Sequence, residues 1–308
     1  MLQVSFLSAN TLTQTQLDSW IAEARKFIPQ GRVPDYIPLL SDVEPNWLAV
    51  QLRFCDRSVR VGGDGEQPFV LMSVIKPFVL LCLLEHFGRE TVFSWVGTRP
   101  SDEPFYSLMQ LTLDRGFPRN PMINSGAIAL ASHLPGSHAS ERCANLCQWL
   151  NQLSGAQLFL DQQMLASVRS ISNETNWAIA DILAKSGHID SAALAMDTYN
   201  QICCLAGTVD DLARLGLLLA DPQLISPFHQ QMVNALMLTC GLYEASGPLA
   251  VQIGLPIKSG VSGALLAVIP RQGAIACYSP ALDTTGNSIA GLFLLEQLAQ
   301  NLDLNIFG

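Results

Sequence analysis

The chain has 308 residues, about half of them apolar and 14% charged, with a formal net charge of -9 and an isoelectric point near 4.9. Those totals exclude a disordered chain, a phosphate-neutralising surface for nucleic acid and attraction to anionic membranes. They leave one large domain or two smaller ones around a sizeable core.

The opening MLQVSFLSANTLTQTQLDSW lacks a basic start and a long apolar run, so no secretory signal is expected. No stretch approaches the length of a membrane span, and a cytoplasmic location is the expectation. Residues 13–29 read as a helix ending at Gly31. WLAVQLRF (47–54) and SVRVGG (58–63) read as two strands around a turn at Cys55–Asp56–Arg57. Helices are predicted over roughly 73–88, 122–134, 139–153, 176–186 and 208–220. Strand character returns in LAVQIG (249–254), GALLAVI (263–269) and AIACYS (274–279), with PRQG turning between the last two. An amphipathic helix over about 287–301 precedes the closing LDLNIFG.

Strands at both ends and helices between predict an α+β fold. Its antiparallel sheet is built from the N- and C-terminal segments and carries a helical insert. One catalytic domain is expected, its sheet part from about 1–70 and 240–308 and its helical part about 71–239. The eight cysteines have no paired CxxC frame, the five histidines are scattered, and HExxH is absent. A metal-free site is therefore expected.

The chemistry starts in LMSVIKPFVLL (71–81), where Ser73 and Lys76 stand three residues apart among apolar neighbours. At a helix start the two share a face, and Pro77 is compatible with a first turn. A serine hydroxyl needs a neighbouring base. A lysine serves only when neutral, about three units below its reference pKa, and burial in an apolar pocket supplies shifts of that size. Taken alone, the pair also fits an N-cap serine and a snorkelling lysine. Of the four lysines, however, a second falls in PIKSGVSG, as Lys258-Ser259-Gly260. An SxxK helix followed by K-[ST]-G on an edge strand is the pattern of β-lactamases and penicillin-binding proteins.

With those residues in place, the chain resembles the serine-dependent glutaminases of β-lactamase-like (transpeptidase-like) fold. The resemblance runs through GRVPDYIPLL (31–40), GGDGEQPFVLMSVIK (62–76), PRNPMINSGAIAL (118–130), MLTCGLYEASG (237–247), GLPIKSGVSG (254–263) and LDTTGNSIAGLFLLEQL (282–298). It implies hydrolysis of L-glutamine to L-glutamate and ammonia without a cofactor, with a small molecule as partner and a homo-oligomeric state. It implies Ser73 as nucleophile, Lys76 as its base and Tyr243 as the proton relay to the leaving ammonia. The backbone N–H groups of Ser73 and Val261 would form the oxyanion hole, with Lys258, Ser259 and Gly260 in support. Asn124, Asn176, Tyr199 and Tyr36 would line the substrate pocket.

The chain departs from the family pattern at Met72, Ile75, Arg99 and Tyr106. Counting back from Asn176 also puts Arg169 where the family has its ammonium-binding glutamate, and Thr175 where it has arginine. An arginine offers only donors, so Arg169 is expected in the substrate site, with Glu174 as a nearby substitute carboxylate. Two alternatives therefore stand beside the glutaminase reading. One is a serine amidohydrolase acting on another carboxylate-bearing amide, and the other a non-catalytic binding paralogue.

Overall fold

The computed structural model describes residues 12–307, so most of the opening segment judged above lies outside it. Eight strands occur among the described residues: β1 (Ala49–Phe54), β2 (Val59–Gly63), β3 (Phe69–Val70), β4 (Phe159–Leu160), β5 (Leu205–Gly207), β6 (Ile257–Ser259), β7 (Ala264–Ile269) and β8 (Gly273–Tyr278). Five of them form one antiparallel sheet in the order β2-β1-β8-β7-β6, so the two ends of the chain meet where β1 pairs with β8. This is the α+β architecture expected from the strand distribution.

The apolar runs of β7 and β8 follow from burial on both faces. Leu265, Ala267, Ile269, Ile275 and Cys277 join Leu17, Ile21, Leu294 and Leu298 in one core, under helices Gln14–Arg25 and Ile289–Asn301. Leu266, Val268, Ala274 and Ala276 face the larger core, against helix Val209–Ala220 and the helical layer. That helix sits so close to the sheet that a Cβ on Gly216 would stand 2.3 Å from the Ala274 Cβ. No helix among the described residues is long and apolar enough to cross a membrane.

The predicted helices appear as Asn124–Ser132, Ala139–Ser154, Glu174–Lys185 and Val209–Ala220. The 73–88 prediction becomes a 3-10 turn, Met72–Ile75, followed by helix Lys76–Trp95, which Gly88 interrupts with φ of 73°. LAVQIG is corrected. Residues Ser246–Gln252 are a short helix against helix Pro227–Cys240, with Val251 in solvent, and the edge strand is the IKS of β6. Six residues of mixed polarity fit a strand and a short helix about equally, and Pro248 suits a first helical turn. Helices Leu108–Leu113, Gln162–Ser170, Ala192–Cys203 and Pro227–Cys240 and the small sheet β3-β5-β4 were not predicted.

Candidate active site

The turn Met72–Ile75 packs against β6, β7 and helix Ala192–Cys203, at the seam between sheet and helical layer. Ser73 is buried there and borders a cavity of about 460 Å³. Gly260, of the KSG segment, lies directly over it: a Cβ on Gly260 would sit 2.7 Å from Leu71 O and 3.5 Å from Ser73 N. A larger residue would crowd the Ser73 amide. Val261 follows Gly260 and lines the same cavity.

Lys76 is buried. Its Nζ donates to Met122 O at 3.1 Å and to Asn124 Oδ1 at 2.9 Å. A neutral amine has two N–H bonds and one lone pair, so those two acceptors leave the lone pair for a proton. Burial holds the amine down from its ordinary 10.5 to about 8, opposed by the Cys203 thiol beside it. A base of this kind gives a testable pH dependence. For amide hydrolysis, log kcat/KM should rise with a slope of about one below pH 8 and level off above it, because only the unprotonated amine can take a proton. A rate already flat between pH 6 and 8 would assign the base role to another group.

Asn124, at the start of helix Asn124–Ser132, links the cavity walls. Its Oδ1 accepts from Lys76 and from Tyr199 Oη, and its Nδ2 donates to Asn176 Oδ1 at 2.9 Å. The Tyr243 ring is tilted against Phe105, with ring centroids 4.5 Å apart, and the Lys258 Nζ lies 4.2 Å from the Tyr243 ring centroid. Burial pushes the Tyr243 phenol up to about 12, offset by the nearby Ser73 and Ser259 hydroxyls, though Oη makes no hydrogen bond of ordinary geometry. Lys258 donates to Gly241 O at 2.8 Å and Ser259 O at 2.7 Å, which ties the Tyr243 loop to β6. Burial, and then the charge of Lys76, lower its pKa well below the ordinary lysine value. Met72 and Tyr243 both have positive φ, 46° and 57°. For residues other than glycine that conformation costs on the order of 1–2 kcal/mol each, and such strain gathers at functional sites.

Tyr36, Ser73, Asn124, Asn176, Tyr199 and Val261 border this one cavity, with Lys76 bound to Asn124, Tyr243 beside Ser73 and Lys258 over the Tyr243 ring. Arg169 does not border it. Its guanidinium turns away, half exposed, and pairs with Asp197. The side chain that helix Gln162–Ser170 sends to the cavity is Val168. Thr175 lines the wall, whereas Glu174 is exposed on the first turn of its helix and contributes nothing to the lining. Phe105, Ile171, Asn200 and Cys203 also line the cavity and went unremarked in the sequence. Cys203 could have been found from Tyr199, since residues four apart share a helix face.

A family model described as Glutaminase matches residues 31–307. The chain belongs to the glutaminase family. A Synechocystis sp. glutaminase is 45% identical over 292 residues, covering 94% of this chain and 89% of that one. A Klebsiella pneumoniae glutaminase is 34% identical, covering 97% of this chain and 100% of its own length. Among solved structures, the probable glutaminase ybaS superposes with a TM-score of 0.89 at 33% identity over 98% of this glutaminase-family chain and 99% of its own. The Bacillus subtilis glutaminase, in covalent complex with the 5-oxo-L-norleucine formed from 6-diazo-5-oxo-L-norleucine, gives 0.86 at 30% identity, covering 96% and 99%. The agreement in fold includes the β-lactamase-like sheet that carries the KSG strand.

Proposed function

We propose that this chain is a glutaminase that hydrolyses the side-chain amide of L-glutamine through an acyl-enzyme on Ser73, and that its sheet and helical parts work as one catalytic domain. The observation that carries the reading is the buried Lys76 amine, with both of its N–H bonds engaged, one helical turn from a Ser73 that borders the cavity and has Gly260 of the KSG segment against its amide.

In this reading Lys76 takes the proton of Ser73 Oγ as Oγ attacks the amide carbon. The resulting oxyanion is held between the backbone N–H groups of Ser73 and Val261. That proton is handed on from Lys76 and relayed by Tyr243 to the amide nitrogen, so that ammonia leaves, the ester on Ser73 remains, and Lys76 and Tyr243 return to their starting states. Water then attacks the ester carbon, giving up its proton along the same route, and releases the acid with Ser73 restored. Lys258 holds Tyr243 in place through its two carbonyl contacts and its position beside the ring.

The test is ammonia release from L-glutamine, together with reaction with 6-diazo-5-oxo-L-norleucine and peptide mass spectrometry. One adduct per chain on Ser73 is expected, with loss of activity in step. Labelling confined to another residue would overturn the assignment.

A further inference from the structure

We infer that the side-chain amides of Asn200 and Asn173 form the amino-group subsite of the Ser73 cavity and hold the α-ammonium of L-glutamine. The inference rests on the glutaminase reading for the identity of the ligand, but ligand binding tests it without turnover.

The α-carbon of glutamine carries one positive and one negative group, with no net charge between them. None of the described side chains lining the cavity is charged. Such a wall suits a zwitterion, provided that each of its groups finds polar partners. The carboxylate needs donors, and Asn176, whose Oδ1 accepts from Asn124, offers its own N–H pair. The ammonium has only donors and needs acceptors.

Two lining amides are free for that role. Asn173 and Asn200 are half-buried, and neither side chain is hydrogen-bonded to another described residue. Asn173 is the more telling of the two. It stands at the N-cap of helix Glu174–Lys185, where an asparagine side chain ordinarily accepts from the next turn, yet it makes no cap bond. Each amide can therefore turn its oxygen to a ligand. A hydroxyl such as that of Thr175 brings a proton of its own to an ammonium, whereas an amide oxygen brings none.

The same two residues also border the smaller adjoining pocket, which holds Asp197. Asp197 is three residues before Asn200 on helix Ala192–Cys203, so the two share a face. Its carboxylate is held by Arg169 and by Gln201 Nε2 at 3.1 Å. The amide oxygens thus have a negative group near them, while Arg169 balances its charge and spares the substrate's own carboxylate from repulsion. Val168 and Ile171 border both pockets and offer an ammonium only hydrocarbon.

The experiment compares kcat/KM for ammonia release from L-glutamine and from glutaramic acid, the same amide without its amino group. In Asn200→Ala the ratio of glutamine to glutaramic acid is expected to fall at least about tenfold, chiefly through KM, for the loss of one hydrogen bond to a charged group. Asn173→Gly keeps the left-handed backbone and is expected to lower the ratio as well. Calorimetry on Ser73→Ala gives a readout without turnover. L-glutamate should bind at least about tenfold more tightly than glutarate, and adding Asn200→Ala should remove most of that lead.

A merely structural role would lower both substrates together, so a ratio unmoved in folded Asn200→Ala and Asn173→Gly would overturn the subsite. Glutarate bound as tightly as L-glutamate would overturn it too. A ratio moved in one variant alone would assign the ammonium to that residue and remove the other. No ammonia from either amide, with the L-glutamate lead present and lost in Asn200→Ala, would sink the hydrolytic reading and leave the subsite standing. Should Asn200→Ala fail to fold, Asn173→Gly carries both readouts.

Discussion

Ser73→Ala is expected to lower amide turnover by at least about 10⁴-fold while leaving the fold intact. The size follows from losing the only group proposed to bond covalently to the substrate. In other serine hydrolases, removing the nucleophile costs orders of magnitude, with a residue of catalysis left by binding and the oxyanion site. The fold should tolerate the change because Ser73 makes few contacts through its hydroxyl: the Tyr243 phenol is near, and the Lys76 amine is held by Met122 and Asn124. Thermal unfolding should shift by a few degrees at most. Ammonia assays and calorimetry on the same sample check both halves. Residual activity above about one per cent of native would show that another group attacks the amide.

Lys76→Met is expected to cost about 10²–10⁴-fold in kcat, the usual range for a general base, and to have a distinctive effect on stability. The folded-state pKa near 8 lies below the ordinary 10.5. At one unit per about 1.4 kcal/mol, holding this lysine in the fold costs about 3 kcal/mol while it is protonated in both states. The unfolded chain binds the extra proton between those two values, so stability rises with pH across that window. The penalty is present in full below about pH 8 and is gone above the unfolded value. Replacing the amine by a thioether removes it, but leaves Met122 O and Asn124 Oδ1 short of a donor, at about 1–3 kcal/mol for a buried acceptor left unsatisfied. The two effects nearly offset at pH 7. Urea unfolding at pH 7 and pH 10 should show the native chain gaining on Lys76→Met as pH rises. A difference that stays constant with pH would mean that Lys76 is not held in an unfavourable protonated state. Lys76→Arg should be as inactive, because a guanidinium cannot give up its proton at working pH.

The candidate site was legible in the sequence because its motifs are local. Ser73 and Lys76 are one turn apart, and Lys258, Ser259 and Gly260 are consecutive, so each half is a short string of residues. The sheet was legible at β7 and β8, where apolar runs of six residues have few other uses. Register between distant segments was much less visible. Counting back from Asn176 to Arg169 crosses the turn at Ile171–Asn173, where Asn173 is left-handed with φ of 39°. One residue of error on the helix before that turn is about 100° of rotation, enough to exchange a solvent-facing arginine for a wall-forming valine. The buried faces of Met164, Leu165 and Val168 settle the register only once the helix is seen to exist. The short segment 249–254 failed for the opposite reason: its polarity pattern fits two periods.

The pairing of β1 with β8 has a consequence for how the molecule is made. β1 lies between β2 and β8, and its partner strand begins at Gly273, near the end of the chain. A ribosome adding about 5–20 residues per second reaches β8 roughly 10–45 s after completing β1. Throughout that interval the β1–β2 hairpin has an open edge, and the Ser73 turn exists without the Gly260 segment that packs against it. The site therefore cannot be complete until β6, β7 and β8 have been made. Those strands finish the sheet and the site together, and a premature stop codon before them yields a chain with neither.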